Sequence, residues 1–155
     1  MTSGPFFDTS VLLAGLIDVG PSSLPAQHLM TAVADGRLRR VHTAWHCCLE
    51  FYAVATRLPE EVRLHPRDAW RLIDEEILGR FAVHQLPAEH QRLFLGAVAE
   101  ERIVGGRIYD AHIAEIARQA RVGVVVTDNV RHFTDLVRQG VRVASAADFS
   151  REVAG

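Results

Sequence analysis

The chain has 155 residues, enough for one domain with a buried core and too few for two comfortable ones. Its 48% apolar and 23% charged residues exclude a disordered chain, and a net charge of −2 argues against a protein that coats nucleic acid through a broad basic field. All seventeen cations are arginine; with no lysine, Schiff-base enzymes, P-loop nucleotidases and any lysine phosphate clamp are excluded too.

Gly4 to Asp8 reads as a short buried strand ending at an acid, after which Thr9 or Ser10 caps a helix through Leu16. Ser22 to Ala34 is a second helix, with Pro25 in its first turn and Gly36 as its stop. Leu38 to His42 is expected as a strand, and Thr43 as the cap of a helix to about Arg57. Pro66 opens a helix to about Leu78, Phe81 to Gln85 forms a strand, and Pro87 starts a helix to about Arg102. Gly105-Gly106 breaks the chain before a helix from Ile108 to Arg121. Gly123 to Asp128 holds an unbroken valine run, the mark of a strand buried on both faces. A helix from Val130 to Gln139 and a strand from Val141 to Ala144 end the series. Strands alternating with helices imply a mostly parallel sheet of four or five strands with helices on both faces, in one domain over 1–155.

Cys47 and Cys48 are neighbours and form no disulfide framework, so a reducing, cytoplasmic compartment is expected. The apolar run Val11 to Ile17 is too short to cross a bilayer and has no basic flank, so no membrane role is expected.

In such sheets ligands bind beyond the carboxyl ends of the strands, and two expected strands end in aspartate, Asp8 and Asp128. Either alone is as readily a loop former or a helix cap. Glu50 and Asp110 stand in helices that are otherwise largely apolar, where a carboxylate is unfavourable unless paired or bound to metal. Asp110 also suits a helix N-terminus, and Glu50 shares a helix side with His46. Four carboxylates brought together without lysine would repel one another, and hard oxygen ligands of this kind select Mg²⁺ or Mn²⁺. Carboxylate-held Mg²⁺ points to phosphate chemistry. Setting those four apart from the nineteen acids leaves fifteen anions against seventeen cations. Arg37, Arg39, Arg40 and Arg107 could then meet phosphates, although the run from Arg37 reads first as a solvated strand edge.

Phe7-Asp8-Thr9-Ser10-Val11-Leu12, Glu50 in its apolar helix, Tyr109-Asp110-Ala111-His112-Ile113-Ala114 and Val126-Thr127-Asp128-Asn129-Val130-Arg131-His132-Phe133 follow one another in an order and spacing that resemble the PIN domain, in particular VapC-type toxins. The resemblance implies a three-layer α/β/α sandwich and metal-dependent cleavage of single-stranded RNA by metal-activated water. It implies that Asp8, Glu50, Asp110 and Asp128 hold Mg²⁺ or Mn²⁺, with Thr9, Ser10, Thr127 and Asn129 orienting them. It further implies a cognate antitoxin partner and a homodimer, with the expected helices Ser22 to Ala34 and Thr43 to Arg57 as candidate partner surfaces. Many relatives carry an acid where this chain has His132; as that position is outside the quartet, partner or substrate contacts are expected to differ, not the chemistry.

Three rivals are weighed from the residues. A zinc site from His42, His46, Cys47, Cys48 and Glu50 fails on geometry: adjacent cysteines diverge on a helix, and buried thiols with a surface histidine fit better. A phosphoaspartyl enzyme at Asp8 needs the lysine this chain lacks. A non-catalytic RNA- or protein-binding module is the remaining alternative.

Overall fold

The computed structural model describes residues 4–155, so the first three positions of the expected 1–155 domain lie outside the described residues. Phe6 and Phe7 are wholly buried and form β1 (Phe6–Phe7), the middle strand of a five-stranded sheet. Around it lie β2 (His42–Ala44), β3 (Ala82–His84), β4 (Val124–Val126) and β5 (Arg142–Ala144). The order is β3-β2-β1-β4-β5 and every neighbouring pair is parallel. Phe6 pairs with His42 on one side and Val125 on the other.

The helices are α1 (Thr9–Leu16), α2 (Leu24–Ala34), α3 (Trp45–Ala55), α4 (Pro66–Leu72), α5 (Ala88–Glu100), α6 (Arg107–Gln119), α7 (Thr134–Arg138) and α8 (Ala146–Ala154). Crossovers between parallel strands are right-handed, so a sheet that grows first from β1 to β3 and then from β4 to β5 places its helices on opposite faces. The contacts follow that division: α2 packs on α1 and α8 and α3 on α1 and α4, whereas α5 meets α6. The result is the expected α/β/α sandwich with an all-parallel sheet.

Several boundaries move for local reasons. The segment before β2 does not form a strand: Leu38 N–H bonds back to the Ala32 carbonyl, and Arg40 takes a left-handed φ of 56°. β2 therefore starts at His42, where the expected strand ends. Thr43 lies inside it and does not cap a helix; its hydroxyl donates to the Phe7 carbonyl at 2.8 Å, and extended Ala44 is the residue that precedes α3. The expected helix from Val130 begins as a 3₁₀ turn, Val130–Phe133, and becomes α-helical only at Thr134. α4 loosens into a π-helical turn at Ile73–Leu78. α8 is an addition to the expected elements; Ser145 accepts a bond from the Asp148 N–H there, as an N-cap does.

α2 turns Ala26, Leu29, Met30, Ala32 and Val33 inward and leaves Leu24 exposed. α3 buries Cys47, Cys48 and Phe51 but leaves Leu49 and Tyr52 exposed. Among the described residues no helix is long and apolar enough to cross a membrane.

Candidate active site

The crossovers reverse direction between β1 and β4, and there the crevice beyond the strand ends is open to a ligand. Asp8 follows β1 directly, and its N–H donates to the Val126 carbonyl at 3.0 Å, which extends the β1–β4 pairing by one residue. Its carbonyl then accepts from Val11 and Leu12 as α1 begins. The side chain is only 4% exposed. It accepts hydrogen bonds from Thr127 Oγ1 at 2.8 Å and Ser10 Oγ at 3.1 Å. Burial pushes its carboxyl up to about 6, against the pull of those hydroxyls, and the Glu50 charge adds to the rise.

Thr127 follows β4 and is tied on three sides. Its N–H donates to the Ala144 carbonyl, and its hydroxyl donates to Asp8 while accepting from the Asn129 N–H at 3.0 Å. Ser10 likewise accepts from the Asp128 N–H at 3.1 Å, which joins the start of α1 to the loop after β4. Asn129 enters this network through its backbone.

Glu50, midway along α3, accepts from Thr9 Oγ1 at 2.8 Å and lies 3.7 Å from His46 Nε2. His46 is not the surface residue that the sequence suggests. Its side chain is only 13% exposed, and its Nδ1 shares a 2.7 Å hydrogen bond with His112 Nδ1 on α6. His112 is held below the ordinary imidazole range by burial and by the neighbouring His46.

The two remaining acids are engaged elsewhere. Asp110, in the first turn of α6, has Oδ2 3.0 Å from His132 Nδ1. Asp128 turns toward α8, where Oδ1 accepts from the Ala146 N–H at 3.2 Å. His132, expected to stand apart from the quartet, touches it through Asp110. Asp8 and Glu50 thus face one electrostatic neighbourhood through Thr9, and Asp128 joins them through Ser10. Asp110 stands at the adjoining wall beside His132.

Among the described residues no guanidinium is paired with Asp8: a buried carboxylate, a second carboxylate beside it and donors from hydroxyls and the Thr9 backbone make a set that suits a hard divalent cation. The side chains as they stand do not close on one, for among the described residues no three His, Cys, Asp or Glu groups are placed to hold a metal.

The zinc rival fails here. His42 Nδ1 meets His84 Nε2 at 2.9 Å, and Cys47 and Cys48 are buried and free. Burial pushes the Cys47 thiol up to about 12 and the Cys48 thiol to about 11, so neither is a thiolate near neutral pH. The run Arg37 to Arg40 precedes β2, on the amino side of the sheet and away from the crevice; Arg37 is paired with Asp35 and Arg39 Nε donates to the Gly36 carbonyl.

A doubly wound parallel sheet with buried and half-buried acids at its switch point defines a class of α/β proteins whose ligands bind beyond the carboxyl ends of the strands. The chain belongs to the PIN-domain family: the PIN domain family model matches residues 6–131. Ribonuclease VapC27 of Mycobacterium tuberculosis is 34% identical over 133 residues, covering 76% of this chain and 94% of that protein. The fold is also that of PAE2754 from Pyrobaculum aerophilum, at TM-score 0.62 and 17% identity over 99% of this chain and 97% of the other. VapBC-1 from nontypeable Haemophilus influenzae shares it at TM-score 0.58 and 14% identity over 92% and 97%.

Proposed function

We propose that the chain is an endoribonuclease that hydrolyses single-stranded RNA with Mg²⁺ or Mn²⁺, and that it is the toxin of a toxin–antitoxin pair. The observation that carries this reading is the buried Asp8 carboxylate beside Glu50 at the β1–β4 switch point, in a chain 34% identical to a protein named a VapC ribonuclease. Asp8 and Glu50 would hold the cation, with Asp110 and Asp128 joining once released from their present partners. Bound there, such a cation offsets phosphate charge and supplies an activated water. Thr9, Ser10 and Thr127 fix the carboxylate orientations through the hydroxyl bonds described above.

RNA would be held by arginine. Arg102, Arg107 and Arg131 line a cleft of about 690 Å³ whose wall includes Asp110. None of the three pairs with a carboxylate among the described residues, which leaves them to phosphates. The same reading assigns residues 1–155 to one domain, a cytoplasmic location, an antitoxin partner and a homodimer.

The test is incubation of purified protein with single-stranded RNA and Mg²⁺ or Mn²⁺, with and without chelator. Chelator-sensitive cleavage that is lost in Asp8→Asn supports the assignment; Asp8→Asn cleaving at the normal rate overturns it. The present pairing of Asp110 with His132 favours a second reading, a PIN-like module that binds without cleaving. Binding without chelator-sensitive cleavage would select that reading.

A further inference from the structure

A second cavity, of about 470 Å³, opens between α3 and α6, with Glu50 in its wall. Trp45, Leu49 and Tyr109 stand at it, Trp45 43% and Tyr109 57% exposed, which is unusual for rings of this size. Its lining is mainly apolar, and the few polar groups on it are held in place. His46 meets the Tyr109 ring edge-on at 5.6 Å and 69°, and His46 and His112 orient each other through their shared hydrogen bond. Gln85 and Gln91 add amides, and Gln91 is anchored by a 3.1 Å bond from Nε2 to the Leu86 carbonyl.

We propose that this cavity binds an unstacked nucleobase of the single-stranded RNA whose phosphate lies at the acids. The inference rests on the reading of the chain as a single-strand nuclease. Two features select this occupant. Single-stranded RNA is read by stacking splayed bases on aromatic rings and by hydrogen bonds to their edges, and this cavity offers both. It is continuous with the candidate active site, since Glu50 belongs to both and Tyr109 directly precedes Asp110.

Tryptophan itself reports the test. The chain has two, so Trp70→Phe leaves Trp45 as the sole tryptophan fluorophore. In chelator, this protein is titrated with a single-stranded RNA oligonucleotide and with an abasic strand of equal length. RNA should quench Trp45 and the abasic strand should not. Trp45→Ala and Tyr109→Ala should each weaken binding of labelled RNA by about 5- to 150-fold, whereas Tyr109→Phe, which keeps the ring, should bind as the parent does. Equal response to the abasic strand, or unaltered affinity in both alanine variants, overturns the proposal. So does a Trp45 emission that tracks protein concentration and ignores RNA, which would give the face to a second copy. Cleavage with Mg²⁺ or Mn²⁺ is scored separately. Cleavage with a silent Trp45 refutes the base pocket alone; base-dependent quenching without cleavage under any cation refutes the nuclease alone.

Discussion

Asp8 keeps its proton to about pH 6 in the folded chain, against an ordinary value of 3.8. Between those values the folded state holds a proton that the unfolded state has released, so its contribution to stability declines as pH rises from about 4 to about 6 and is level above. Once ionised, the buried carboxyl opposes folding by on the order of 3 kcal/mol. Asp8→Asn should therefore abolish cleavage and yet stabilise the chelated protein at pH 7 by up to about 3 kcal/mol. Urea midpoints at pH 7 and below pH 4 check this: the gap between variant and parent should close at the lower pH. His132 gives a second prediction. Its bond competes with any cation for Asp110, and a half-exposed pair of this kind holds about 1 kcal/mol. His132→Ala should lower the Mn²⁺ concentration for half-maximal cleavage about fivefold, and an unchanged value would remove Asp110 from the ligand set.

At the scale of elements, α1 matters most, because Thr9 and Ser10 on its first turn hold Glu50 and Asp8. Gly15 lets α1 lie close on α2: a Cβ there would come within 2.4 Å of Met30 Cγ and 2.9 Å of the Ala26 carbonyl. Met30 can bend away; the backbone cannot. Gly15→Ala should destabilise the chain by about 1–3 kcal/mol in thermal or urea unfolding. The strands that flank α1 show what a local pattern can reveal. Phe6-Phe7 and the valines of β4 are buried on both faces, so their apolar runs mark them as strands, and the aspartates after them mark the crevice. β2 departs from its expected place because its end depends on Thr43 reaching the Phe7 carbonyl, a partner 36 residues away that no local pattern encodes. α8 leaves little trace because its cap is a single serine in a run of small residues. The partners of Asp110 and Asp128 are illegible for the same reason as β2: both are tertiary contacts.

Charge acts at the scale of the whole molecule. Net −2 conceals an arginine-lined cleft at Asp110 and a ring-lined cavity at Glu50. Replacing Arg107 and Arg131 with alanine should weaken RNA binding in chelator whatever the base sequence. The slope of log affinity against log salt should become shallower by about 0.7 for each phosphate left without its arginine. Affinity measured across a salt series separates this from misfolding, which would not change the slope in that way.

The carboxylate at the centre of the crevice and the hydroxyl that steadies it are 119 residues apart, and the loop between them and the C-terminal helix is anchored at Ala146. A ribosome must therefore carry synthesis past Ala146 before the crevice exists in this form. Until then, on the proposed reading, the emerging chain has no assembled site with which to cleave RNA. An antitoxin partner, on that reading, has no active site to restrain until the chain has been made through Ala146.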